Sequence, residues 1–280
     1  MTIVQLKQMQ AHYLDQGAGP PVLLVHCSSG SHRQWAFLTD ELSARHRVLA
    51  PDLLGYGKSS PWPDDGAPVA DSDLDVVLAL IDTAGEPVHL AGHSYGGMLC
   101  LEAARIHAAR GSGAVRSLFA IEPVMFPLLE NAAHAAEWKT ISSVARACID
   151  AVAAGEREKA ADAYMGFWLG TERWRASPDR FRDEVIGTVS KVAHEFMGVF
   201  DLKRTAEDFR AVDCPVSLIC GGISPRPALA VIDILRSSLP QAESEEIPGA
   251  GHMSPFTHPQ DVSALLFDHL ARAGASRPGV

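Results

Sequence analysis

Cysteines are few and form no framework. Cys27, Cys100, Cys148, Cys214 and Cys220 are scattered over 280 residues, odd in number, with no Cys-x-x-Cys pair. A disulfide-stapled domain and a zinc site are therefore not expected. Long apolar runs are missing too, so no membrane span is expected. Residues 1–10 lack a basic start followed by an apolar core, so no leader peptide is read there. Positive charge is scarce: 24 Lys+Arg stand against 34 Asp+Glu, a net of −10, with no basic run. That argues against a nucleic-acid partner. The rest, 47% hydrophobic and 21% charged, fits a globular enzyme and excludes a largely disordered chain. A small-molecule substrate and a cytoplasmic location are the plain expectations, with oligomeric state open.

Short runs rich in Val, Ile and Leu recur along the chain: 22–25, 48–50, 88–91, 117–121 and 216–220. Each is apolar on both faces, as strands are when helices cover both sides of a parallel sheet. Residues 35–45, 72–84 and 98–110 carry apolar positions at helical spacing. This alternation predicts an α/β fold, a mostly parallel sheet flanked by helices, with its site beyond the carboxyl ends of the strands. From about 124 to 211 the pattern turns helical, with clear segments at 133–136, 144–154 and 159–168. That is too long for a loop and predicts an inserted helical lid, leaving 1–123 and 212–280 as the core. Trp138, Tyr164, Met165, Phe167, Trp168, Trp174, Phe196 and Met197 concentrate there. Most are expected to pack the lid and its seam with the sheet, and a few to line an apolar pocket. The tail 275–280 is expected to fray.

One of the apolar runs stops on Gly92-His93-Ser94-Tyr95-Gly96, which fits Gly-x-Ser-x-Gly. The pentapeptide alone is common by chance. Here a strand-like run precedes it and a helix-forming stretch follows, the context in which such a serine sits on a sharp turn with its hydroxyl exposed. Ser94 is the candidate nucleophile. A serine hydroxyl needs a base, and twelve histidines are available. His12, His46, His107 and His134 are expected to be ordinary, solvated residues. His252 follows Pro248-Gly249-Ala250-Gly251, just after the strand-like 244–247. Those glycines allow a sharp turn that could carry the imidazole over the sheet, although a purely structural turn histidine fits the same segment.

Five segments in order resemble the α/β-hydrolase fold: residues 23–29 (Leu-Leu-Val-His-Cys-Ser-Ser), 50–59 (Ala-Pro-Asp-Leu-Leu-Gly-Tyr-Gly-Lys-Ser), 92–97, 219–222 and 249–253. The resemblance spans nearly the whole chain apart from the lid. It implies a serine–histidine pair but says little of substrate, because the fold hosts many chemistries. It also implies that the backbone N–H groups of Ser28 and Tyr95 receive an oxyanion. Two departures stand out. His26 is followed by Cys27 where the family has glycine, leaving packing, a reactive thiol or a reshaped loop as readings of Cys27. Ser224 stands where the family places its acid. The best substitute is Glu122, at the end of the strand after the nucleophile's helix, where haloalkane dehalogenases and some other members place theirs. A solvated carboxylate or a lid anchor is the competing reading. Asp213 is a weaker alternative, and Asp52 is expected to brace loops.

These residues predict acyl transfer to water, cleaving a carboxylic ester or related acyl bond of a small apolar substrate through a Ser94 acyl-enzyme. A Ser94–His252–Glu122 triad would serve it, with no metal or organic cofactor required. Dehalogenase and epoxide hydrolase chemistry would need an aspartate at position 94. A cofactor-independent oxygenase, another non-hydrolytic enzyme of the fold, and a non-catalytic ligand receptor remain as alternatives.

Overall fold

Successive side chains of a strand face opposite ways, and the sheet sorts its core accordingly. Val22 and Leu24 pack with Trp35, Leu38 and Leu42 on one face, alongside Val262 and Leu266. Leu23 and Val25 pack on the other face with Val76, Leu80 and Leu99. In the computed structural model, which describes residues 1–62, 69–239 and 241–275, the eight strands form one sheet. They are β1 (Thr2–Leu6), β2 (Met9–Gln16), β3 (Pro21–Val25), β4 (Arg47–Pro51), β5 (Val88–His93), β6 (Val115–Ile121), β7 (Val216–Gly221) and β8 (Ala242–Ile247). Their order is β1-β2-β4-β3-β5-β6-β7-β8. β1 and β2 run antiparallel, and every pairing from β4 onward to β8 is parallel.

The flanking helices are α1 (Ala36–Ser43), α2 (Val69–Ala84) and α3 (Tyr95–Ala109). Between β6 and β7 come α4 (Ala135–Ala153), α5 (Arg157–Leu169), α6 (Thr171–Arg175) and α7 (Asp179–Asp201), followed later by α8 (Arg226–Ser238), α9 (Ser254–Thr257) and α10 (Pro259–Ala275). The α/β class and the mostly parallel sheet agree with the sequence reading. Among the described residues, no helix is long and apolar enough to cross a membrane. Residues 276–280 of the expected frayed tail lie outside the described residues.

Several expectations need correction. The hairpin β1–β2 was not anticipated, because its strands are half exposed and carry no continuous apolar run. The helix expected to begin at Met98 begins at Tyr95, directly after Ser94. The expected segments 133–136 and 144–154 are largely one helix, α4, preceded by a short 3-10 turn. The 23-residue α7 lies outside the clear helical segments of the sequence. His107 is buried rather than solvated, its Nδ1 2.9 Å from the Ser112 hydroxyl.

Candidate functional site

Ser94 stands between β5 and α3 at φ 57° and ψ −117°, a conformation that L-residues avoid and that persists only where the surroundings impose it. They do so by close approach. A Cβ at Gly96 would run into the carbonyls of Val25 and His26, and one at Gly92 into the backbone of Gly96 and Gly97. The Ser94 N–H donates to the Ile121 carbonyl at 2.9 Å, tying the turn to β6.

Glu122, the residue after β6, is also left-handed, at φ 40°. Its side chain is held from three sides. Oε1 accepts from the Gly221 N–H at 2.8 Å and from the Ser224 hydroxyl at 2.5 Å, while Oε2 lies 2.7 Å from His252 Nδ1. The other imidazole nitrogen, Nε2, is 2.9 Å from Ser94 Oγ. Ser94, Glu122 and His252 are all buried. Residues 94, 122 and 252 thus form one continuous hydrogen-bonded line. It can pass a proton from the hydroxyl to the imidazole and hold the resulting cation against a carboxylate. The Ser224 hydroxyl thus braces the Glu122 carboxylate from the side away from His252 Nδ1. Asp213 is exposed, and Asp52 accepts from the N–H groups of His32 and Lys58 and pairs with the His32 ring, bracing two loops.

The segment after β3 is fixed by a second chain of contacts. Gln34 Oε1 accepts from the Cys27 N–H at 2.9 Å, and its amide nitrogen lies 3.2 Å from His93 Nδ1. His93 Nε2 lies 2.8 Å from the His252 carbonyl. The loop carrying Ser28 and the loop carrying His252 are thereby coupled through His93, the residue before Ser94. His26 bridges with Nδ1 at 2.7 Å from the Cys27 carbonyl and Nε2 accepting from the Leu53 N–H at 3.0 Å. Burial holds this imidazole at about 4, so it is neutral. Burial also pushes the Cys27 thiol up to about 12, which argues for packing over reactivity.

Ser94, Ser28 and Tyr95 line one narrow cavity of about 20 Å³, walled by Val124, Phe126, Tyr164, Trp168, Phe196 and Val199. Ser28 and Tyr164 also border a wider outer depression reaching Arg33, Phe181 and Met253, so they stand between the two spaces. Of the expected aromatic group, Tyr164, Trp168 and Phe196 reach the inner cavity, Trp174 is fully buried away from it, and Met197 is exposed.

Sequence reasoning missed three features. Trp168 stacks on His252, with ring centroids 3.6 Å apart. Gln34 and His93 link the loops, and nothing in their local sequence marks them for it. Lys191 and Glu195, both on α7, are buried against the core. Lys191 Nζ pairs with Asp73 Oδ2 at 2.9 Å and with Glu195 Oε1 at 3.3 Å, and it lies 3.9 Å above the Tyr56 ring. Burial raises the carboxyls of Asp73 and Glu195, partly offset by Lys191.

Residues 22–265 match the profile of the alpha/beta hydrolase family. A putative carbamate hydrolase, RutD, of Variovorax paradoxus is 31% identical over 97% of this chain and 99% of its own length. A 2-hydroxymuconate semialdehyde hydrolase of a Pseudomonas species is 34% identical over 42% of each chain. Among solved structures, a thermophilic esterase from Thermogutta terrifontis superposes with a TM-score of 0.77 at 21% identity, covering 98% of this chain and 99% of that one. By profile and by full-length similarity, the chain belongs to the alpha/beta hydrolase family.

Proposed function

We propose that the protein is a serine hydrolase that cleaves a carboxylic ester or related acyl bond of a small, largely apolar substrate. The observation that carries this reading is the line from Ser94 Oγ through His252 to Glu122, with contacts of 2.9 and 2.7 Å. Ser94 Oγ attacks the carbonyl carbon and its proton passes to His252 Nε2. Glu122 keeps the ring oriented and balances its charge. The backbone N–H groups of Ser28 and Tyr95 receive the oxyanion. His252 then returns the proton to the leaving group, and a water deprotonated by the same nitrogen releases the acid and frees Ser94. Neither step calls for a metal or an organic cofactor.

The mainly apolar cavity wall supports a small apolar acyl or alcohol group. Residues 124–211 serve as the lid over it. Full-length similarity to a protein named as a putative carbamate hydrolase is compatible with acyl chemistry, carbamate included. The test is turnover of p-nitrophenyl acetate and butyrate by the wild type and by Ser94→Ala. The wild type should hydrolyse at least one, and the variant should lose about 10³-fold or more in kcat. Full activity in the variant would refute the nucleophile.

A further inference from the structure

The α7 pair sits in an unusual place. Lys191 and Glu195 are four residues apart on a helix, a spacing that normally gives a weak pair in solvent. Here the Lys191 side chain has no exposure and Glu195 is 2% exposed. Two buried carboxylates, Asp73 and Glu195, share one ammonium group. Asp73 is well supplied: besides Lys191 it accepts from the Leu54 N–H at 3.0 Å and from the Tyr95 hydroxyl at 3.0 Å. Glu195 is supplied on one oxygen alone. Its Oε1 accepts from the Tyr56 hydroxyl at 2.8 Å and faces Lys191. Its Oε2 is just as buried, and no partner among the described residues closes to hydrogen-bond geometry on it. The Ser28 hydroxyl acts on the carboxyl as a weak hydrogen-bond donor that stops short of good geometry on Oε2.

A buried carboxylate oxygen without a close donor keeps a desolvation penalty that a solvated one does not have. Glu195 lines the same cavity as Ser94, among otherwise mainly apolar walls. We infer that Glu195 Oε2 is a specificity-determining acceptor, which recognises a hydroxyl or N–H donor carried by the acyl or alcohol group of the substrate bound at Ser94. The inference rests on the hydrolase reading of the site and refines its substrate class: an otherwise apolar ester bearing one hydrogen-bond donor. A polar site of this kind discriminates strongly, because an analogue lacking the donor leaves the carboxylate desolvated and unmatched.

Substrate pairs that differ by a hydroxyl against a methyl of similar volume read this directly. Hydroxyphenyl against methylphenyl acetates place the donor on the alcohol side. p-Nitrophenyl 6-hydroxyhexanoate against heptanoate places it on the acyl side. The wild type should prefer the hydroxyl partner in one pair by about tenfold or more in kcat/KM. Glu195→Gln is close to isosteric. Its amide oxygen takes the place beside Lys191 and the Tyr56 hydroxyl, so its NH₂ turns to the cavity and a donor replaces the acceptor. The preference should then fall below about twofold, through loss on the hydroxyl substrate while the methyl substrate is little changed or gains. A merely structural role would lower both substrates together.

Binding of the same four esters to Ser94→Ala, with and without Glu195→Gln, measured by calorimetry, gives the same comparison without turnover. Failure of hydrolysis in the wild type would strike the hydrolase reading, while the binding ratio still decides the role of Glu195. Equal binding and turnover within each pair, or a hydroxyl preference that survives Glu195→Gln in folded protein, would overturn the inference.

Discussion

The indole of Trp168 lies face to face with the imidazole of His252, ring centroids 3.6 Å apart and planes inclined by 21°. Trp168 belongs to α5, in the insertion, whereas His252 follows β8 in the core. One side of the proposed base is therefore held by Glu122 in the ring plane and one face by the insertion. A stacked aromatic pair contributes about 0.5–1.5 kcal/mol, equivalent to roughly two- to tenfold in rate if lost from the transition state. Trp168→Ala should lower kcat by about that factor, and Trp168→Phe should recover most of it. Steady-state kinetics on a p-nitrophenyl ester checks this, and an unchanged kcat in Trp168→Ala would show that the stack does not position the ring.

Removing the carboxylate is expected to cost far more. Glu122→Gln should lower kcat by about 10²–10⁴, by the precedent of triad acids replaced with amides. Ser224→Ala removes one neutral donor to that carboxylate and should cost less than about tenfold. Because the Ser224 hydroxyl touches Glu122 Oε1 at 2.5 Å, an aspartate at 224 returns a negative charge close to where Glu122→Gln removes one. Glu122→Gln combined with Ser224→Asp should regain at least about tenfold over Glu122→Gln. Stopped-flow or plate kinetics on the four proteins separates these effects. Equal, small losses in both single variants would leave the imidazole without an identified partner.

The buried ion pairs behind the cavity set a stability prediction. Lys191→Met leaves Asp73 and Glu195 without their shared cation and should destabilise by about 3–5 kcal/mol, the usual cost of breaking a buried pair from one side. Adding Asp73→Asn should recover part of that loss. Urea unfolding followed by circular dichroism measures both, and a loss below about 1 kcal/mol would mean that the pair behaves as an exposed one.

Acid sensitivity follows from buried histidines. Burial, the main cause, holds His26 at about 4, His89 at about 3 and His269 at about 4, and holds His93 well below its ordinary value. Their free value is near 6.5, so between pH 6.5 and 4 the unfolded chain binds protons that the folded chain does not. Stability from these groups is complete above about pH 6.5 and declines as pH falls through that window. Asp73 and Glu195, raised by burial, act with the opposite sign, but they are two groups against four. The urea midpoint should therefore fall steadily from pH 7 to 4.5, with a slope on the order of 1.4 kcal/mol per net proton per pH unit. His269→Phe should flatten the slope by about one proton, whatever it does to stability at neutral pH. A flat profile in the wild type would contradict these assignments.

Much of this was legible in the residues, and the exceptions have physical reasons. The strands 22–25, 88–93 and 216–221 lie under helices on both faces, and their unbroken apolar runs say so. Ser94 is legible because its turn tolerates only glycine at 92 and 96. Glu122 could be read from the abrupt change of a buried strand to a carboxylate. β1 and β2 are half-exposed strands of mixed polarity at one side of the sheet, which local pattern does not separate from loop. Lys191 and Glu195 look like a solvated helical pair in sequence. Only the docking of α7 against α2, which brings Asp73 to them, turns them inward. The Trp168–His252 stack joins residues 84 positions apart through tertiary packing, and no local signal announces it.

The central claim is a covalent one: substrate becomes bonded to Ser94 Oγ during turnover. Rapid acid quench of the protein with p-nitrophenyl butyrate, followed by intact-mass and peptide mass spectrometry, measures it directly. The account predicts a mass gain of one butyryl group on the peptide containing Ser94, absent from Ser94→Ala. Turnover without any acyl adduct in wild type, together with unimpaired turnover by Ser94→Ala, would contradict it.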